Sequence, residues 1–232
     1  MATLIWVLLL SLPAGWAVTL VADTLPVRRN VHETWRWPFQ RLGILAAASP
    51  PQPPAGRYLR IWLVAVLLGG LVYQRVGWHW QALLVAAEAW FFLAVAVIDL
   101  EHRLVLNRML LAALPLVFAV HLAQGMGALL SALLGALVGF GIFLLIALLV
   151  RGGMGMGDVK LAGLIGLSTG ISGVLPALLI GIMAGGVGAI LILVRHRFRR
   201  GQHMAYAPYL VLGVWFVLLG GVEAMQTYWG RL

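Results

Sequence analysis

The feature that most restricts the fold is where the charges fall. Apolar stretches, most of them about 20 residues and long enough to cross a bilayer as a helix, the second and sixth shorter, alternate with connections that hold nearly all the charged side chains. Eight such stretches can be drawn, at about 3–22, 59–74, 81–99, 104–122, 127–150, 158–171, 173–194 and 206–226. Charged residues make up 10% of the chain and the mean hydropathy is +1.00, whereas a soluble domain carries roughly 25% charged residues. A water-soluble particle could not cover its surface with so few. Inside hydrocarbon each backbone N–H and C=O has to be satisfied within its own segment, so the spans are expected to be helical. The expected fold is an all-α polytopic membrane bundle of about eight transmembrane helices. The four residues Gly170-Ile171-Ser172-Gly173 should form a tight turn between the sixth and seventh.

The net charge of +9 is distributed with a clear bias. Arg28, Arg29, Arg36, Arg41, Arg57, Arg60, Arg103, Arg108, Arg151, Lys160, Arg195, Arg197, Arg199 and Arg200 all fall on one side of the eight-span arrangement; only Arg75 and Arg231 fall on the other. Basic residues are retained on the cytoplasmic side of inner membranes. That side is therefore expected to be cytoplasmic, with both termini outside and anionic headgroups, not nucleic acid, as the partner of the charge. The apolar N-terminus lacks a basic region before it and is expected to be an uncleaved first span. Residues 1–58 read as one span plus a short basic loop, and 59–232 as the main membrane domain. Within that loop Trp35, Trp37 and Phe39 among arginines suit an interfacial segment, and Pro50, Pro51, Pro53 and Pro54 a semi-rigid connector.

The chain has no cysteine, which excludes disulfides, thiolate metal sites and thiol catalysis. The six histidines have no ligand-like spacing, so no metal is expected. Seven acidic residues remain, and a carboxylate near hydrocarbon is costly enough to need a reason. Asp99 ends the third span and Asp158 opens the sixth, so both fall at the cytoplasmic boundary on different helices. Two carboxylates at one depth can share a proton and activate a water between them. Asp158, at a helix start, is expected to be the more acidic member; Asp99, at a helix end, the more proton-retaining one. Taken singly, each has a plainer reading: Asp158 as an N-cap, Asp99 as a boundary residue reaching water. Gly152, Gly153, Gly155 and Gly157 can adopt positive φ and let the loop carry Asp158 toward Asp99. Lys160 either reaches a headgroup or serves the pair, and Glu101 and His102 could tune Asp99. Glu88 lies 11 positions before Asp99, on a similar face about 16 Å deeper, and is kept out of the pair. The tryptophans, such as Trp78 and Trp80, read as interface anchors.

With those residues in view, the chain resembles the type IV prepilin peptidase family, membrane aspartyl proteases of the GxGD kind. Ile98-Asp99-Leu100-Glu101-His102-Arg103-Leu104-Val105-Leu106-Asn107-Arg108-Met109 is similar to the family's first aspartate stretch, with Leu106 in place of the usual proline. Gly155-Met156-Gly157-Asp158-Val159-Lys160-Leu161, followed by Gly166 and Gly170, is similar to the second. The resemblance covers roughly residues 60–230. It implies cleavage of the basic leader of type IV prepilins or pseudopilins after a glycine at the cytoplasmic membrane face. Asp99 and Asp158 would be catalytic, with Gly155, Gly157, Lys160, Glu101 and His102 supporting them. No cofactor is implied for the peptidase. Larger members carry a four-cysteine insert between the first spans and also N-methylate the product; residues 23–58 are short and cysteine-free, so S-adenosylmethionine enters only if a methyltransferase activity survives. The competing reading is a membrane scaffold or ion-coupled transporter that uses the same aspartates. Transporter sites, however, usually lie at mid-membrane.

Overall fold

The structure, a computed structural model, describes residues 2–24, 56–77, 79–149, 154–196, 205–221 and 223, without the side chains of 2–10, 24, 192, 193, 195 and 196. The expected interfacial segment, the proline connector, Trp78, Gly152 and Gly153 lie outside these residues. Seven helical runs follow one another among those described: α1 (Ala2–Thr24), α2 (Arg57–Val76), α3 (Trp80–His102), α4 (Asn107–Gln124), α5 (Met126–Leu149), α6 (Met156–His196) and α7 (Ala207–Leu218). No strand interrupts them. By length and composition α2 to α6 are each able to cross a bilayer, and α7 is a shorter apolar helix. The all-α polytopic reading therefore holds.

The expected sixth and seventh spans form the single run α6, broken where Gly170 takes φ 67° and ψ −179°. The break is sharper than the four-residue turn expected from the sequence. Only Gly170 leaves helical geometry, and Ile171 restarts the helix with its N–H donated to Ser131 Oγ of α5 at 3.1 Å. A side chain at positive φ is strained, so glycine suits this corner. The two limbs of α6 lean on α5 and α7.

The outer faces tell what surrounds the bundle. Leu137, Leu149, Met183 and Val194 are each more than two thirds exposed. Apolar surface in such quantity is untenable in water and ordinary against lipid. Hydrocarbon gives helices no hydrophobic reason to associate, so close packing has to do it. Gly135 of α5 and Gly166 of α6 face each other so closely that a Cβ on either would collide with the other's backbone. Gly139 meets the Ala162 carbonyl in the same way, and Gly213 of α7 meets that of Ala177. Around these crossings Phe92, Ile98, Phe143, Leu161, Ile165 and Leu210 are fully buried.

Candidate active site

Three helix ends meet at one end of the bundle. The last turn of α3 carries Asp99, which is 4% exposed. The helix then stops at Arg103, whose φ of 52° is left-handed. A short extended link leads through Val105 and Leu106 to Asn107, the first residue of α4. The first turn of α6 carries Asp158, and α7 begins at Ala207 just after Tyr206.

The side chains tie these ends together. The Ala207 N–H donates to Asp99 Oδ2 at 2.9 Å in a buried hydrogen bond. Asp158 lies within electrostatic reach of Asp99 and of the Tyr206 phenol. The two aspartates therefore share one end of the bundle and one neighbourhood. Tyr206 stands beside them at the start of α7. Its ring rests near Phe143, with centroids 6.4 Å apart.

Asp158 is not the N-cap that the plainer reading made it. Gly155 holds that position: its carbonyl accepts the N–H groups of Asp158 at 3.0 Å and Val159 at 3.4 Å. Asp158 is the third helical residue, with its carboxylate beside Gly155. That places the carboxylate at the mouth of α6, whose free N–H groups favour a negative charge there.

The glycines act differently from expectation. Neither Gly155 nor Gly157 adopts positive φ. At Gly157 the need is for space, because a Cβ would sit 3.0 Å from the Val105 Cβ. That contact lets the start of α6 close against the α3–α4 link and brings Asp158 toward Asp99.

Glu101 turns away from tuning Asp99. Arg57 of α2 grips it with two hydrogen bonds, Nε to Oε1 at 2.5 Å and Nη2 to Oε2 at 2.6 Å. The same guanidinium holds Asp23 of α1 at 2.6 Å, and the Tyr58 hydroxyl donates to Asp23 at 3.1 Å. Glu101 thus anchors α1 and α2 two residues beyond Asp99. His102 is exposed, 4.0 Å from Glu101. Lys160 Nζ donates to Asn107 Oδ1 at 3.0 Å and so bridges the starts of α6 and α4. Beside that bridge an apolar groove of about 400 Å³ runs down between α4, α5 and α6, lined by Leu110, Leu114, Ala136 and Leu164.

Sequence reasoning missed Tyr206 and Ala207. The available signal was positional: residue 206 opens the last expected span on the same side as both aspartates, and Pro208 marks a helix start. Among the described residues no three acidic or histidine side chains gather into a metal-binding group.

Comparison with known proteins gives this geometry a lineage. A model of the type IV leader peptidase family matches residues 86–190, a stretch that holds both aspartates. The prepilin leader peptidase/N-methyltransferase of Pseudomonas aeruginosa is 33% identical over 183 residues, covering 74% of this chain and 61% of that protein. The protein of the same name from Neisseria gonorrhoeae is 32% identical over 166 residues, 69% of this chain and 57% of its own length. That of Bacillus subtilis is 30% identical over 134 residues, 58% and 54%. The chain thus spans about three fifths of the length of the curated relatives it matches. No solved structure matches it. Both aspartate motifs lie inside the region, residues 86–190, over which the chain matches the type IV leader peptidase family.

Proposed function

We propose that this chain is an aspartic endopeptidase of the inner membrane that cuts the basic leader from type IV prepilins or pseudopilins after a glycine. The cut falls at the cytoplasmic face, and both termini lie outside. The observation that carries the reading is the convergence of Asp99 and Asp158, from separate helices, at the end of the bundle where Arg57, Arg60, Arg103, Arg108 and Lys160 also lie. One carboxylate takes a proton from a water as that water attacks the scissile carbonyl carbon. The other donates a proton to the carbonyl oxygen. The tetrahedral intermediate then collapses, breaking the C–N bond as the nitrogen takes a proton and leaves as the new amino terminus.

The apolar groove headed by Asn107 and Lys160 suits the apolar helix that follows the cleavage point in such substrates. Its head adjoins the first turn of α6, the turn that also carries Asp158. Peptide cleavage needs no cofactor in this scheme. S-adenosylmethionine enters only with a surviving methyltransferase activity, against which stands the absence of cysteine from residues 23–58.

The test is co-expression with a prepilin, scored by loss of the leader and by the mass of the product's amino terminus. Wild-type chain should release an unmethylated product. Asp99→Asn and Asp158→Asn should each leave the leader in place while the protein still inserts in the membrane. Undiminished cleavage by either variant rejects the two-aspartate mechanism.

A further inference from the structure

A half-open space with polar walls lies at the other end of the bundle. It is a cavity of about 660 Å³ between α3, α4, α6 and the turn after α7. Its deep wall holds Glu88, His121 and Ser168, which are 0%, 7% and 4% exposed. Arg75 and Glu223 pair with each other at its mouth.

The wall is rich in unsatisfied lone pairs. Among the described residues Glu88 Oε1, Glu88 Oε2, His121 Nδ1 and Ser168 Oγ are buried without a hydrogen-bond partner. Ser168 approaches the Glu88 carboxylate, yet neither completes a bond of acceptable geometry. His121 Nε2 lies 3.1 Å from the Ser168 carbonyl. A carbonyl only accepts, so Nε2 carries the hydrogen and neutral His121 turns a lone pair on Nδ1 away from that bond. Four buried atoms able to offer lone pairs thus belong to three residues that line one cavity, with one formal negative charge among them. A lone buried carboxylate is expensive in such a medium and calls for a cation or a proton.

We propose that this cavity binds a single alkali cation, Na⁺ as the type, through the Glu88 carboxylate and Ser168 Oγ with His121 alongside. Two observations select the class. Counting Glu88, Glu223 and Arg75 with His121 neutral, the cavity has a net charge of −1, which one monovalent ion balances. Three of the four free atoms are oxygens, and no three acidic or histidine side chains gather among the described residues; transition metals favour sites richer in imidazole or thiolate.

The site has a consequence for the rest of the molecule. Glu88 and Asp99 share α3, about 16 Å apart along its axis. Ser168 and Asp158 share the first limb of α6, about 15 Å apart. A cation held between Glu88 and Ser168 pins those two helices to each other at the end away from the aspartates. The binding claim itself does not depend on the proteolytic reading.

The test uses the full chain in detergent micelles, with thermal unfolding followed as Na⁺ replaces choline at constant total chloride. A ligand of the folded state raises Tm as it saturates, and a gain of roughly 5 °C by about 200 mM is expected of wild type. Glu88→Gln should give a flat line, and Ser168→Ala should need several-fold more Na⁺ for the same gain. Should Glu88→Gln fail to fold, Ser168→Ala and direct calorimetric titration of wild type with NaCl carry the test. No gain with Na⁺, an equal gain in Glu88→Gln, or a gain confined to Zn²⁺ each overturns the proposal.

Discussion

Asp99 can be asked whether it is a chemical or a structural residue by comparing two substitutions. Asp99→Asn keeps an oxygen where Oδ2 now accepts the Ala207 N–H at 2.9 Å. Asp99→Ala leaves that N–H buried without a partner, since Ala207 is 0% exposed. An orphaned buried donor costs about 1–3 kcal/mol. For a chain of this size each 1 kcal/mol moves Tm by roughly 2–4 °C, so Asp99→Ala should melt about 3–10 °C below wild type. Asp99→Asn should melt within about 2 °C of wild type, because it keeps the hydrogen bond and also relieves the like-charge repulsion with Asp158. Activity should not follow stability. An amide cannot exchange the proton that the scheme requires, and acid–base groups contribute about 100- to 10,000-fold. Both variants should therefore fall below about one hundredth of the wild-type rate. The assay is leader removal from a purified prepilin in micelles, paired with thermal unfolding of the same samples. Cleavage by Asp99→Asn at near wild-type rate would refute the catalytic role. Equal melting of the two variants would refute the assignment of the Ala207 bond.

The other expectations are shorter. Gly166→Ala should disrupt the α5–α6 crossing, because its Cβ meets the Gly135 backbone; overpacking costs about 1–3 kcal/mol or more, read as a lower yield of monodisperse protein and a lower Tm. Arg57→Ala should lower stability by about 1–2 kcal/mol, a figure held down by the partial exposure of Glu101 and Asp23, and Arg57→Lys should recover only part of it because a single ammonium cannot grip Glu101 bidentately; full recovery in thermal unfolding would speak against the fork geometry. Lys160→Met should raise KM by about tenfold, the worth of roughly one charge-assisted contact, with kcat held within a factor of about two; a fall in kcat alone would instead link Lys160 to the chemistry.

The sequence made the helices and the pair of aspartates legible for a simple reason. Hydrocarbon enforces apolar runs of fixed length, and a carboxylate at their ends has few innocent explanations. What it hid were contacts across long separations that leave no local pattern. Glu101 and His102 flank Asp99 in sequence, which invited both into its neighbourhood. The structure gives Glu101 to Arg57, 44 positions away. Ala207 reaches Asp99 across 108 positions with a backbone group, and no side-chain motif announces it. Gly155 and Gly157 were legible as glycines required by the loop, but the reason was misjudged. Sequence offers φ and size as equally good grounds, and only the nearness of Val105 selects size at Gly157. Glu88 could be placed on a helical face, yet its neighbours His121 and Ser168 come from α4 and α6, and no periodicity within α3 names them.

These hidden contacts change the logic of the pair. From sequence the two aspartates differed in kind, one at the start of a helix and one at the end, and that contrast alone suggested which would hold the proton. The structure brings the start of α7 to Asp99, so both carboxylates meet a helix N-terminus, and Asp99 accepts the backbone N–H of Ala207. The contrast between helix ends therefore no longer separates them. What separates them is cover: Asp99 lies under α7 at 4% exposure, while Asp158 is half-buried at the mouth of α6 beside Tyr206.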